Sequence, residues 1–188
     1  AGRAGDRVGP DFAGPYVRVG ETFYEVSPAK DGAYVAIRPA EDLPRASLNL
    51  PDETHHVVVF GPNGYFRVKS HANRYPVPAG RYKFEVWQFN RTDERGKQWQ
   101  FTGRSFPNGS AFEVAADEVK ELDIGAPLVA TVSHRQSRGR HEFSEALRGR
   151  LGERVYVGWI GGGRPPAPRL RITDAGGNYD QTFKFEYG

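Results

Sequence analysis

The chain has no cysteine and no methionine among its 188 residues. Without cysteine there can be no disulfide framework, no thiolate metal site and no cysteine nucleophile. Long apolar runs are missing as well. The longest uncharged stretch beside a hydrophobic patch runs from Ile124 to His134, well short of the ~18 residues that a membrane-crossing helix requires. The common catalytic signatures are also absent: no G-x-S-x-G, no phosphate-binding P-loop, no H-E-x-x-H and no acidic calcium loop. Each of those chemistries needs its groups at a fixed spacing, so an enzyme here would have to assemble its site from distant residues. The expectation is a protein without catalytic residues, metal or cofactor.

Leucine is scarce, at 8 residues against 17 valines, while there are 24 aromatics and glycine and proline together number 37. Valine and aromatic side chains suit a pleated, half-buried surface, and glycine and proline punctuate turns. The composition therefore predicts an all-β chain. Apolar segments recur between turn signals from Tyr16 to Tyr187, the rhythm of a sandwich or barrel. Tyr82, Phe84 and Val86 alternate with Arg81, Lys83 and Glu85, and Leu170 and Ile172 alternate with Arg169 and Arg171; both read as strands with one wet face. His56 to Phe60 is apolar on both faces and reads as a covered strand. Pro62-Asn63-Gly64 follows it as a hairpin signal. Phe143, Leu147 and Leu151 lie four apart, which fits a helix face or a strand face; Gly149 weakens the helix, and a strand is the preferred reading.

Three segments divide the chain. Residues 1–15 hold four glycines and two prolines, with Val8 and Phe12 as the only large apolar side chains. Such an arm gains too little from its own contacts to offset the entropy of ordering, and is expected to be flexible or bound to a partner. Two sandwich-like units follow, 16–125 and 126–188, with the joint at Gly125-Ala126-Pro127. The second is near the size at which a core without disulfides or metals is marginal. The start at Ala1, with no Met and no apolar leader, is what a cleaved export signal leaves and equally what trimming leaves.

Two surfaces are candidates for binding. Trp87, Phe89, Trp99 and Phe101 lie on neighbouring β segments expected to form a hairpin around residues 90–97. Trp87 and Phe89 fall in phase with Lys83 and Glu85, so unless a bulge or a covering layer intervenes they face solvent, where flat rings stack on sugars or on another subunit. The second surface is basic. Between His134 and Arg154 lie six arginines and three glutamates, which hold the whole excess of the net +3 chain. Nucleic-acid domains carry a larger excess with interleaved aromatics, so a solvated arginine-rich edge is the better reading. The histidines do not suggest a metal site: His55 and His56 point to opposite faces of a strand, and His71, His134 and His141 stand alone without ligand spacing.

At Pro78-Ala79-Gly80-Arg81-Tyr82-Lys83-Phe84-Glu85-Val86, followed by Phe112-Glu113-Val114 and Leu122-Asp123-Ile124, the chain resembles bacterial surface β-sandwich modules of the transthyretin-like and carboxypeptidase-regulatory-like kind. The likeness spans roughly Thr54 to Gly125. It implies a sandwich in an exported or cell-envelope protein, with no catalytic residues to carry over; the remainder has an immunoglobulin-like strand rhythm. The sequence thus points to a non-enzymatic, extracellular structural or interaction protein that partners other subunits, as in a surface assembly or filament. The alternative is a carbohydrate-binding module that holds polysaccharide on its aromatic patch.

Overall fold

The computed structural model describes residues 14–69, 74–107, 110–160 and 165–186. Among them form sixteen strands and no helix. In chain order the first eight are β1 (Tyr16–Val19), β2 (Thr22–Pro28), β3 (Val35–Pro39), β4 (Arg45–Asn49), β5 (Thr54–Gly61), β6 (Gly64–Lys69), β7 (Tyr75–Pro78) and β8 (Gly80–Thr92). The rest are β9 (Gln98–Arg104), β10 (Ala111–Val114), β11 (Val119–Glu121), β12 (Val129–Ser137), β13 (Arg140–Arg148), β14 (Arg154–Trp159), β15 (Arg169–Thr173) and β16 (Asp180–Lys184). The fold is all-β. Among the described residues no helix is long and apolar enough to cross a membrane.

The main body is one large sheet in the order β12-β13-β14-β9-β8-β5-β6, with β10 pairing the start of β8. A three-stranded sheet, β11-β4-β7, lies against it. A single apolar cluster joins the two: Ala46 and Leu48 of β4 and Val77 of β7 meet Val57 and Val59 of β5, Phe66 and Val68 of β6, and Tyr82 and Phe84 of β8. Phe23 of the β1-β2-β3 sheet enters the same cluster, edge-on to Phe66 with centroids 6.2 Å apart. Burial of these side chains is the principal stabilising contribution. Tyr82 keeps its phenol in the core by donating to the Pro78 carbonyl at 2.6 Å. Burial, partly offset by Asn63, pushes its pKa up to about 12.

Local signals account for most of the hairpins. Pro62 and Asn63 form the β5–β6 turn, with Gly61 opposite Gly64. The segment 140–148 is the strand β13; Phe143 and Leu147 lie on one of its faces, and Leu151 lies in the turn that follows. The proposed joint at Gly125-Ala126-Pro127 falls between β11 and β12. Arg150 spans it, pairing with Asp123 at 2.8 Å and donating from Nε to the Ala126 carbonyl at 2.7 Å. Past the joint, β12, β13 and β14 do not build a sheet of their own but extend the large one through β14 and β9. The last two strands, β15 and β16, pair with each other in a separate two-stranded sheet.

Candidate functional site

The four aromatics Trp87, Phe89, Trp99 and Phe101 do share one face of the β8–β9 hairpin, but that face is the core. Val58 of β5 pairs with Val86, whereas the next residue, Val59, pairs with Phe84. Glu85 is therefore the extra residue of a β-bulge, and a bulge shifts the alternation by one. Before it Tyr82 and Phe84 point inward; after it Trp87 and Phe89 do, and both are buried. Of the alternatives open in the sequence, the bulge is the one found, and Trp87 and Phe89 are not part of an exposed binding patch. Trp87, Phe89 and Phe101 form a stack with successive centroids 5.1 and 4.8 Å apart. Gly103, opposite Trp87, carries the indole directly on its Cα, where any Cβ would overlap the ring.

Of the four, Trp99 lies where the inner face runs past its cover. It sits directly across the ladder from Trp159 of β14, which is 43% exposed. Lys97 places its ammonium 4.5 Å from the centroid of the Trp99 ring and 4.1 Å from that of Trp159, within cation–π range of both. Asp93 accepts the Trp99 indole N–H at 2.9 Å. That bond, with the backbone N–H groups of Lys97 and Arg95, holds the Asp93 carboxyl below its ordinary range. The result is a pair of rings with a cation over their faces and a carboxylate at the N–H edge of Trp99. Trp159 was missed in the sequence because its pairing with Trp99 depends on β14 joining β9 across the 49 residues between Arg104 and Arg154, and nothing local signals that register.

The second feature is the β12–β13 hairpin. Its nine residue pairs run unbroken from Val129↔Arg148 to Ser137↔Arg140. Arg138 and Gly139 form the two-residue turn, both at positive φ, 48° and 75°, as a right-twisting hairpin requires. Every residue of β12 is exposed. β12 is the terminal strand of the large sheet, and its free edge carries no strand among the described residues. The basic stretch is largely engaged within the chain: Arg135 pairs with Glu142 at 3.0 Å, Arg148 donates to the Gly152 carbonyl at 2.8 Å, and Arg150 holds the joint.

This hairpin also corrects the reading of isolated histidines. His134 and His141 meet across it, with Nε2 of one 2.9 Å from Nδ1 of the other. His55 and His56 do point apart: His55 is exposed and His56 half-buried. Burial, reinforced by Arg67, lowers the His56 pKa. Beside His141 and Phe143 a cleft of about 710 Å³ opens towards the β15–β16 pair, walled by Leu170, Ile172, Tyr179 and Phe183.

Val8 and Phe12 of the arm and His71 lie outside the described residues. Among the described residues no group of three or more His, Asp or Glu side chains gathers in a metal-binding arrangement. Comparison with known proteins returned no match to a family model, to a curated protein or to a solved structure.

Proposed function

We propose that the chain is a non-enzymatic, exported structural or interaction protein that joins other subunits by strand addition at β12. The observation that carries this reading is the β12 edge, on which no strand lies among the described residues. A strand of nine residues with no proline, no glycine and no bulge, whose single charge is paired across the ladder to Glu142, has none of the devices by which monomeric proteins blunt an edge. An incoming strand would gain main-chain hydrogen bonds along its length. Gly14 and Pro15 pack on their own chain, where the Pro15 carbonyl accepts from the Val26 N–H at 2.7 Å, so the proposed incoming segment is the part of a neighbouring copy's arm before them, residues 1–13 with Val8 and Phe12; repetition of such a head-to-tail contact builds a ring or a fibre. The likeness to envelope sandwich modules supports the same reading.

The test uses the free N–H groups of the edge. Counting back from the Arg138-Gly139 turn, Ser137 and Arg140 form a hydrogen-bonded pair, so Val132 lies in a non-hydrogen-bonded pair and its N–H faces outward. Val132→Pro is therefore expected to leave the β12–β13 ladder intact while blocking an added strand. Light scattering over a concentration series should show assembly of the intact chain, and its loss both in Val132→Pro and on removal of residues 1–13, which spares the Pro15–Val26 contact within the chain. A chain that stays monomeric at high concentration, or a Val132→Pro variant that assembles normally, overturns the reading.

A second reading is favoured by the Trp99–Lys97–Trp159 surface, which would stack polysaccharide rings while Lys97 donates to their oxygens. Trp159→Ala is expected to abolish retention on immobilised polysaccharide without loss of fold, since the ring is partly exposed. Silence of the wild type on a broad glycan array would remove this reading.

A further inference from the structure

His134 and His141 lie on the face of the β12–β13 hairpin that continues the core face, since Leu147 on the same side of β13 packs on the core. In the register His134 stands opposite Phe143 and His141 opposite Gln136, so the two imidazoles are diagonal neighbours. Their rings are nearly coplanar in orientation, 6° apart with centroids separated by 5.1 Å. The His134 ring also stacks on Phe143 at 4.7 Å, which restricts its rotation. Arg135, Glu142 and Arg140 alternate to the opposite face, where the first two pair with each other. No cationic side chain is thereby directed between the rings from the hairpin itself.

We propose that His134 and His141 form a two-imidazole site for a divalent transition-metal ion such as Zn²⁺ or Cu²⁺. The facing nitrogens are 2.9 Å apart. Two nitrogens bound to one tetrahedral zinc at about 2.0–2.1 Å each stand roughly 3.3 Å apart. An opening of a few tenths of an ångström, with each ring turned in its plane by roughly 35° so that its lone pair meets the ion instead of the facing nitrogen, converts the hydrogen bond into a chelate. No net proton loss is needed. One of the facing nitrogens now carries a hydrogen, and in the neutral tautomers with hydrogen on Nδ1 of His134 and Nε2 of His141 both facing lone pairs are free for the ion. Imidazole donors select zinc, copper or nickel over magnesium and calcium, which take oxygen. Both rings are exposed, so water completes the sphere. The site is independent of strand addition, because the rings stand on the sheet face and not on its edge.

The experiment is a titration of the full-length, tag-free chain with ZnCl₂ and CuCl₂, and with MgCl₂ as a control, followed by calorimetry and by the imidazole resonances in NMR. One equivalent of Zn²⁺ or Cu²⁺ is expected to bind, with shifts at His134, His141 and Phe143, and Mg²⁺ should do nothing. His141→Phe keeps a stacked ring on the hairpin and the same circular dichroism, yet should weaken binding by at least tenfold; His134→Ala should do the same. Variants at His55, His56 or His71 should bind as the wild type does. Absence of binding, or binding that survives His141→Phe and is lost with one of the other three histidines, overturns the proposal.

Discussion

Trp87→Ala is expected to destabilise the fold by about 4–5 kcal/mol, the upper end of the range for emptying a buried aromatic site. Three contributions act together. The fully buried indole leaves a cavity flanked by Phe89, with which it stacks at 5.1 Å and 6°. The site cannot collapse easily, because its floor is the Gly103 backbone, fixed in the ladder between β8 and β14. Finally, the indole N–H donates to Glu153 Oε1 at 2.6 Å, and removing it deprives a buried carboxyl group of a donor, which costs more than the bond itself contributes. For a chain of this size the loss corresponds to a fall in Tm of about 10–20 °C. Trp87→Phe, which retains a ring for the stack but no N–H, should fall between the two. A loss below about 1 kcal/mol for the alanine variant, measured by urea denaturation, would show that Trp87 is not the keystone of the inner face.

What could be read in the chain beforehand follows a physical division. Features set within a few residues were legible: alternation in β8 before the bulge and in β15, the Pro62-Asn63-Gly64 turn, and the choice of strand over helix for 140–148. Features set by a partner strand were not. The parity change between Phe84 and Trp87 is visible in the sequence, and it signals that something must shift. Whether the rings turn outward or a bulge restores them depends on how β5 passes β8, and the register break between Val58 and Val59 decides it. The His134–His141 pair was accessible in principle. A two-residue turn at Arg138-Gly139 fixes His134 opposite Phe143 and thus diagonal to His141, but arginine is a rare occupant of a positive-φ turn position, and the hairpin went unrecognised. Trp159 shares the fate of Trp87, since its place beside Trp99 depends on long-range pairing.

Glu153→Ala is expected to cost about 2–4 kcal/mol, and the pattern of its substitutions should separate hydrogen bonding from packing. The side chain is fully buried in the turn between β13 and β14. Its two oxygens accept from different elements: Oε1 from the Trp87 indole at 2.6 Å and Oε2 from the Leu151 backbone N–H at 2.9 Å. No ion pair reaches it among the described residues, so these N–H donors are what hold the group in the interior. Alanine leaves the buried indole N–H and the part-buried Leu151 N–H without this acceptor, at about 1–3 kcal/mol for a donor left fully unsatisfied. Glu153→Gln keeps an acceptor for one donor and sets its amide N–H₂ against the other, so its loss should be smaller than that of alanine but still measurable. Gly149 belongs to the same unit, since its N–H donates to the Glu153 carbonyl at 3.0 Å and a Cβ there would overlap the carboxyl group; Gly149→Ala should approach the cost of Glu153→Ala. The consequence reaches the proposed assembly edge. Glu153 fastens the turn that follows β13, and among the described residues β12 pairs with the sheet through β13 alone. Loosening the turn should therefore raise amide hydrogen exchange along Val129–Ser137 before the rest of the sheet responds. Equal exchange along β12 in Glu153→Gln and wild type would show that the hairpin holds its place without this anchor.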